Sequence, residues 1–120
     1  LSSMSPTLVL REGRVSMAVG AAGGPTIISQ TVQAIMNRID LKLDVEKSIA
    51  APRIHHQWSP DTLRVETALD PAVVEALKAM GHDVAETGGL GVTQAITYDP
   101  SRGLFRPAHD PRVPGGAGGR

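Results

Sequence analysis

An α+β fold is predicted, with helices layered on a mainly antiparallel sheet. Three observations predict it. Two pairs of short apolar runs are each joined by turn-forming residues, as in hairpins. Three other stretches carry helix-start chemistry, two of them ahead of an apolar repeat of helical period. The hairpins come first and last along the chain, with helices and extended segments between. The length of 120 residues makes this one domain at most.

Thr7 to Arg11 and Val15 to Val19 are rich in Val, Leu and Met, and Glu12-Gly13-Arg14 between them reads as a tight turn. A glycine-rich turn, Gly20-Ala21-Ala22-Gly23-Gly24, then leads into a helix. Pro25 suits the first helical position, where its missing N–H costs nothing. Ile28, Val32, Ile35 and Ile39 follow at helical spacing and are expected to pack on the sheet, each worth roughly 1.5–3 kcal/mol. Asp44 is an N-cap for a short helix that Pro52 stops. Arg53 to Trp58 and Leu63 to Thr67 read as extended. Asp70-Pro71 starts a further helix, with Val73, Val74, Leu77 and Met80 as its buried stripe and Gly81 as its stop. Val84 to Glu86 is a short strand, and Gln94 to Tyr98 pairs with Leu104 to Arg106 around Asp99-Pro100-Ser101-Arg102-Gly103. From Pro107 on, glycine and proline increasingly dominate, and the last residues read as a loose tail.

Composition narrows the function classes. Twelve basic and 12 acidic residues cancel, so no net field draws in nucleic acid or a membrane surface. With no cysteine, disulfides and thiolate metal sites are excluded. Aromatics are scarce, so aliphatic side chains must build the core; Met4, Met17, Met36 and Met80 are all expected there. No apolar run is long enough to span a bilayer.

The glycine turn is the chemically richest segment. Gly23 and Gly24 leave their N–H groups unshielded, and the first turn of a helix adds further unsatisfied donors. Such a turn suits a negative oxygen, either a bound anion or the oxyanion of an acyl-transfer intermediate. A phosphate cradle fits less well, since neither Gly-Lys-Ser/Thr nor Gly-x-Gly-x-x-Gly is present. Ser2 and Ser3, one hairpin upstream, add two hydroxyls and two N–H groups that could hold a carboxylate. His55 and His56 are adjacent in an extended segment, so they point to opposite faces and do not share one metal. Arg53, Asp110, Arg112 and Gln94 read as scaffold residues.

Leu-Ser-Ser-Met-Ser-Pro at 1–6, followed by Gly-Ala-Ala-Gly-Gly at 20–24, resembles the small subunit of γ-glutamyltranspeptidases. The resemblance continues through Ala51-Pro52-Arg53-Ile54-His55-His56-Gln57-Trp58, Leu63-Arg64-Val65-Glu66, Gly91-Val92-Thr93-Gln94 and Asp110-Pro111-Arg112. It covers nearly the whole chain in order. Pro25 departs from it, standing where the family often has Ser or Thr.

The resemblance implies part of an N-terminal nucleophile hydrolase fold, an αββα sandwich, with residues 1–112 as the C-terminal portion of the small subunit and 113–120 as a tail. It implies that the Gly23 and Gly24 amides form the oxyanion hole and that Ser2 and Ser3 bind the donor's α-carboxylate. It implies transfer of a γ-glutamyl group from glutathione or a related donor to an amino acid, a peptide or water, through an acyl-threonine intermediate. The nucleophilic threonine, freed by autocatalytic cleavage of a precursor, is expected upstream of Leu1, so the chain by itself is expected to be inactive. No metal or organic cofactor is implied. The implied partner is the large subunit of the same precursor, and the implied location is periplasmic or secreted. Two alternatives stand beside this reading: a related cephalosporin or glutaryl acylase, and a non-catalytic remnant domain.

Overall fold

The structure, a computed structural model, describes residues 2–118. They form two compact units, one of residues up to Ala51 together with Gly91 onward, the other of Pro52–Leu90.

The first unit is built on a four-stranded antiparallel sheet. Strands β1 (Thr7–Arg11) and β2 (Arg14–Ala22) form the first hairpin. Its turn residues Glu12 and Gly13 have φ of 52° and 75°, the left-handed pair that a two-residue hairpin turn requires. In the second unit come β3 (Ile54–His55), β4 (Leu63–Glu66) and β5 (Val84–Thr87); β6 (Val92–Asp99) and β7 (Leu104–Ala108) form the closing hairpin of the first. The first sheet has the order β1-β2-β6-β7. Both hairpins are thus where the sequence places them, with β2, β6 and β7 longer than the apolar runs alone suggest.

Helices α1 (Ile27–Ile39) and α2 (Val45–Ala50) contribute to the core on one face of this sheet. A 3-10 turn over Gly24–Thr26, holding Pro25, leads into α1. The Asp44 side chain caps α2 by accepting from the Lys47 N–H at 2.8 Å. That bond is the main reason the Asp44 carboxyl sits below the usual carboxylate range. Met17 and Val19 of β2, Ala95 of β6 and Ala108 of β7 meet Ala34 of α1 and Val45 and Ile49 of α2 in the core. Alternate residues on the strands face this core, as the two-residue strand period demands.

The α1 stripe is not where helical period places it. Ile28, Val32 and Ile39 are 53%, 49% and 41% exposed, and of the expected four Ile35 alone packs against the core. The buried positions are Ile27, Gln30, Thr31 and Ala34. Periodicity finds an apolar face but not what it faces; here a polar face turns inward because Gln30 finds hydrogen-bond partners there. The transfer energy expected from Ile28, Val32 and Ile39 is not realised within the described residues. Across the sheet, Leu8 and Ile96 lie on one register row through Ala18 and are also exposed.

The second unit carries the sheet β3-β4-β5, in which β4 and β5 run parallel. Helix α3 (Pro71–Ala79) provides the crossover that parallel neighbours need. Asp70 caps it through the Ala72 N–H at 2.8 Å, and Gly81, with φ of 95°, follows its end. Val74 is buried and Leu77 packs beside it, whereas Val73 and Met80 are exposed, so only half of the expected α3 stripe is core. The same correction applies to methionine: Met17 is buried, and Met4, Met36 and Met80 are exposed. Of the tail, Val113 receives a hydrogen bond from His109 at 3.0 Å, while Gly119 and Arg120 lie outside the described residues.

Candidate functional site

Strand β2 continues through Ala22, so Gly20, Ala21 and Ala22 belong to the sheet and the turn begins at Gly23. Gly23 has φ of 144° and Gly24 has φ of 61°, both in the region open to glycine. The chain reverses there from strand to helix. Among the described residues, neither the Gly23 nor the Gly24 N–H donates a hydrogen bond to the protein.

The β1–β2 register brings the serines to the same end of the sheet. Its last described pair is Thr7 with Val19. Because the two strands run antiparallel, Ser2 and Ser3, which precede β1, and the Gly23–Gly24 turn, which follows β2, lie toward the same end of the sheet. The Ser2 hydroxyl accepts from the Met4 N–H at 3.2 Å, and Ser3 is half-buried. Hydroxyls and free amides therefore gather at one sheet end, which suits an anionic group with more than one oxygen.

Behind the turn lies a buried polar network that joins the scaffold residues Asp110 and Arg112 to Thr26, Gln30 and Thr93, which the sequence does not single out. Thr26 Oγ1 donates to the Gly23 carbonyl at 2.9 Å. Gln30 Nε2 donates to Thr26 Oγ1 at 2.7 Å and to the Ala22 carbonyl at 3.3 Å. Thr93 Oγ1 donates to Gln30 Oε1 at 3.0 Å. The Thr93 N–H donates to Asp110 Oδ2 at 2.7 Å. Arg112 closes the chain, pairing with Asp110 Oδ1 at 3.1 Å. Gln30, Thr93 and Asp110 are fully buried. For Gln30 the available signal is a polar side chain in the middle of an amphipathic helix.

Gly91 makes room for this network. A Cβ there would lie 2.1 Å from Gln30 Nε2 and 2.5 Å from the Ala22 oxygen. A Cβ on Gly23 would lie 2.7 Å from Thr26 Oγ1 and 2.9 Å from Gln30 Nε2.

Arg53, Asp110 and Arg112 make the structural hydrogen bonds and ion pair expected of them. Arg112 also donates to the Ile49, Ala50 and Ala51 carbonyls at 3.0, 3.4 and 2.9 Å, covering the C-terminus of α2. In the second unit, Glu66 accepts from the Arg53 N–H at 3.0 Å and from the Leu90 N–H at 2.8 Å, while the Arg53 guanidinium donates to the Leu90 carbonyl at 3.3 Å. His55 pairs with Gln57 and His56 with Asp61, each at 3.0 Å. Gln94 is exposed on β6 opposite Gly20. Among the described residues no group of three or more His, Cys, Asp or Glu is placed to hold a metal ion.

An open groove of about 920 Å³ lies at the other end of the sheet, around the Glu12 turn and Pro100. Arg11, Arg14, Arg38 and Lys42 give it a basic rim. It is remote from Gly23, Gly24, Ser2 and Ser3 along the strands.

A family model described as gamma-glutamyltranspeptidase matches residues 1–119. The glutathione hydrolase proenzyme of Escherichia coli K12 is 44% identical over 112 residues, covering 93% of this chain and 19% of that protein. The acylase ACY 1 proenzyme of a Pseudomonas species is 36% identical over 101 residues, covering 82% of this chain and 18% of that protein. A crystal structure of a Helicobacter pylori gamma-glutamyltranspeptidase mutant superposes with a TM-score of 0.90 at 39% identity, covering 94% of this chain and 62% of that one. This chain thus spans about a fifth of the length of these curated relatives.

Proposed function

Because the chain belongs to the γ-glutamyltranspeptidase family, we propose that it is part of an enzyme that moves a γ-glutamyl group from glutathione or a related donor to an amino acid, a peptide or water. The observation that supports this reading is that the Gly23–Gly24 turn follows β2 at the end of the sheet from which β1, preceded by Ser2 and Ser3, begins.

In this reading a threonine from elsewhere in the full-length protein attacks the donor's γ-carbonyl through its hydroxyl, whose proton passes to the threonine's own α-amine. The carbonyl oxygen becomes an oxyanion and is met by the Gly23 and Gly24 amides, which are fixed before charge develops. Each such donor is worth about 3 kcal/mol in the transition state. Collapse of the intermediate breaks the amide bond, and the departing amine takes the proton. Water or an acceptor amine then attacks the acyl-threonine, loses a proton in turn, and releases the γ-glutamyl product. Ser2 and Ser3 hold the donor's α-carboxylate throughout. The large subunit of the same precursor completes the site, and no cofactor takes part. The enzyme acts in the periplasm or outside the cell, which fractionation of the source cells would test.

The similarity to acylase ACY 1 supports a second reading, in which the whole protein is an acylase, and for that reading we propose a glutaryl amide as the donor. Hydrolysis of γ-glutamyl and glutaryl anilides by the full-length enzyme separates the two. Preference for the γ-glutamyl compound is expected, and Ser2→Ala with Ser3→Ala should raise KM far more than they lower kcat. Preference for the glutaryl compound would overturn the first reading.

A further inference from the structure

We propose that Thr26 and Gln30 are positioning residues that aim the two oxyanion donors by gripping the opposite ends of the same peptide planes. The proposal rests on the reading of Gly23 and Gly24 as an oxyanion hole.

The argument starts from the planarity of the peptide bond. In a trans peptide, the carbonyl of one residue and the N–H of the next lie in one plane and point in opposite directions. The Ala22 carbonyl therefore fixes the direction of the Gly23 N–H, and the Gly23 carbonyl fixes that of the Gly24 N–H. Both carbonyls are held from the helix side. Thr26 Oγ1 holds the Gly23 oxygen at 2.9 Å, and Gln30 Nε2 holds the Ala22 oxygen at 3.3 Å. Gln30 also donates to Thr26 Oγ1 at 2.7 Å, so the two grips are one unit. Both amides must then point away from α1, toward the side where a substrate oxygen would arrive.

Such a clamp is needed here. Gly23 and Gly24 are free to rotate about φ and ψ because neither has a Cβ. An oxyanion hole works only if its donors are fixed before the reaction. The clamp supplies from the second row what the glycines lack in the first. It is itself anchored, since Gln30 is fully buried and its Oε1 accepts from Thr93 at 3.0 Å. It also explains the missing side chain at Gly91, where a Cβ would occupy the space of Gln30 Nε2.

The test uses the full-length enzyme with γ-glutamyl p-nitroanilide as donor. Gln30→Met keeps the length of the side chain and removes its donors. Thr26→Val removes only the hydroxyl, and Thr26→Ser returns it. Asn37→Leu is the structural control, because Asn37 lies on the same helix but bonds to the Ser48 carbonyl, away from the turn. Gln30→Met and Thr26→Val should each lower kcat roughly tenfold or more, as expected for misaimed donors, with KM nearly unchanged. Thr26→Ser should recover most of the loss, and Asn37→Leu should lower thermal stability without lowering kcat. A glutamate analogue with a boronic acid at the γ-carbon, which forms a tetrahedral anion, should bind the two slow variants more weakly in proportion to their kcat.

Unchanged kcat and boronate affinity in both Gln30→Met and Thr26→Val would overturn the proposal, as would failure of Thr26→Ser to recover. If Gln30→Met does not fold, the Thr26 pair decides alone. Should the boronate bind the unaltered enzyme no more tightly than a ground-state donor analogue, the oxyanion reading itself fails, and the proposal with it. Tight boronate binding that the variants leave untouched would sink the proposal and spare that reading.

Discussion

Truncating Asp110 should cost the folded protein about 3–5 kcal/mol, the range for removing one partner of a buried ion pair. Its carboxylate is fully buried and accepts from the Thr93 N–H at 2.7 Å, the Arg112 N–H at 3.0 Å and the Arg112 guanidinium at 3.1 Å. Hydrogen bonds to a charged group contribute about 1.5–3 kcal/mol each, but several on one carboxylate do not add in full. Asp110→Ala strands the buried Thr93 N–H and frees Arg112, which otherwise covers the last carbonyls of α2. Asp110→Asn keeps one acceptor but turns an amide toward a donor, so it should cost less than Asp110→Ala and more than about 1 kcal/mol. Denaturant unfolding of the full-length protein reads these losses. A double-mutant cycle with Arg112→Met should show that the two residues couple by about 1 kcal/mol or more. A loss below about 1 kcal/mol for Asp110→Ala, or no coupling, would refute the view that this pair ties Thr93 of β6 to the C-terminus of α2.

Four further outcomes are expected. Gly91→Ala should be strongly destabilising, by about 2–4 kcal/mol, because φ is 72° and the new Cβ would meet Gln30 and the Ala22 oxygen. Gly20→Ala, with open space and no positive φ, should stay within about 1 kcal/mol of the unaltered protein in the same unfolding assay. For the isolated chain, replacing Ile28, Val32 and Met36 by Gln should reduce aggregation in light scattering without lowering the unfolding midpoint, since all three are about half exposed on α1. The stability difference between the unaltered protein and Asp44→Ala should shrink with acid. The folded Asp44 pKa is lowered, so its contribution is present above the unfolded value near 3.9 and is lost as pH falls through the folded value; a pH series of unfolding midpoints from 7 to about 2 checks the direction.

Local signals determined much of this protein. The Glu12-Gly13 turn, the Asp44 and Asp70 caps and the Gly81 stop are each set by a few neighbouring residues, so the sequence contains them whole. The Gly23–Gly24 turn and the Ser2–Ser3 pair were legible for the same reason, together with the ordered motifs that mark the family. Tertiary structure decided three things that spacing does not encode. It turned the Gln30 face of α1 inward and left Ile28, Val32 and Ile39 half exposed, because a helical period shows that a face exists but not which surface meets it. It paired β4 and β5 in parallel across α3, a choice made by strands far apart in the chain. It assembled Thr26, Gln30, Gly91, Thr93, Asp110 and Arg112 behind the turn, from residues as much as 86 positions apart. Each polar group in that network is stable when buried only because its partner arrives from another element, and that is a property of the packed molecule.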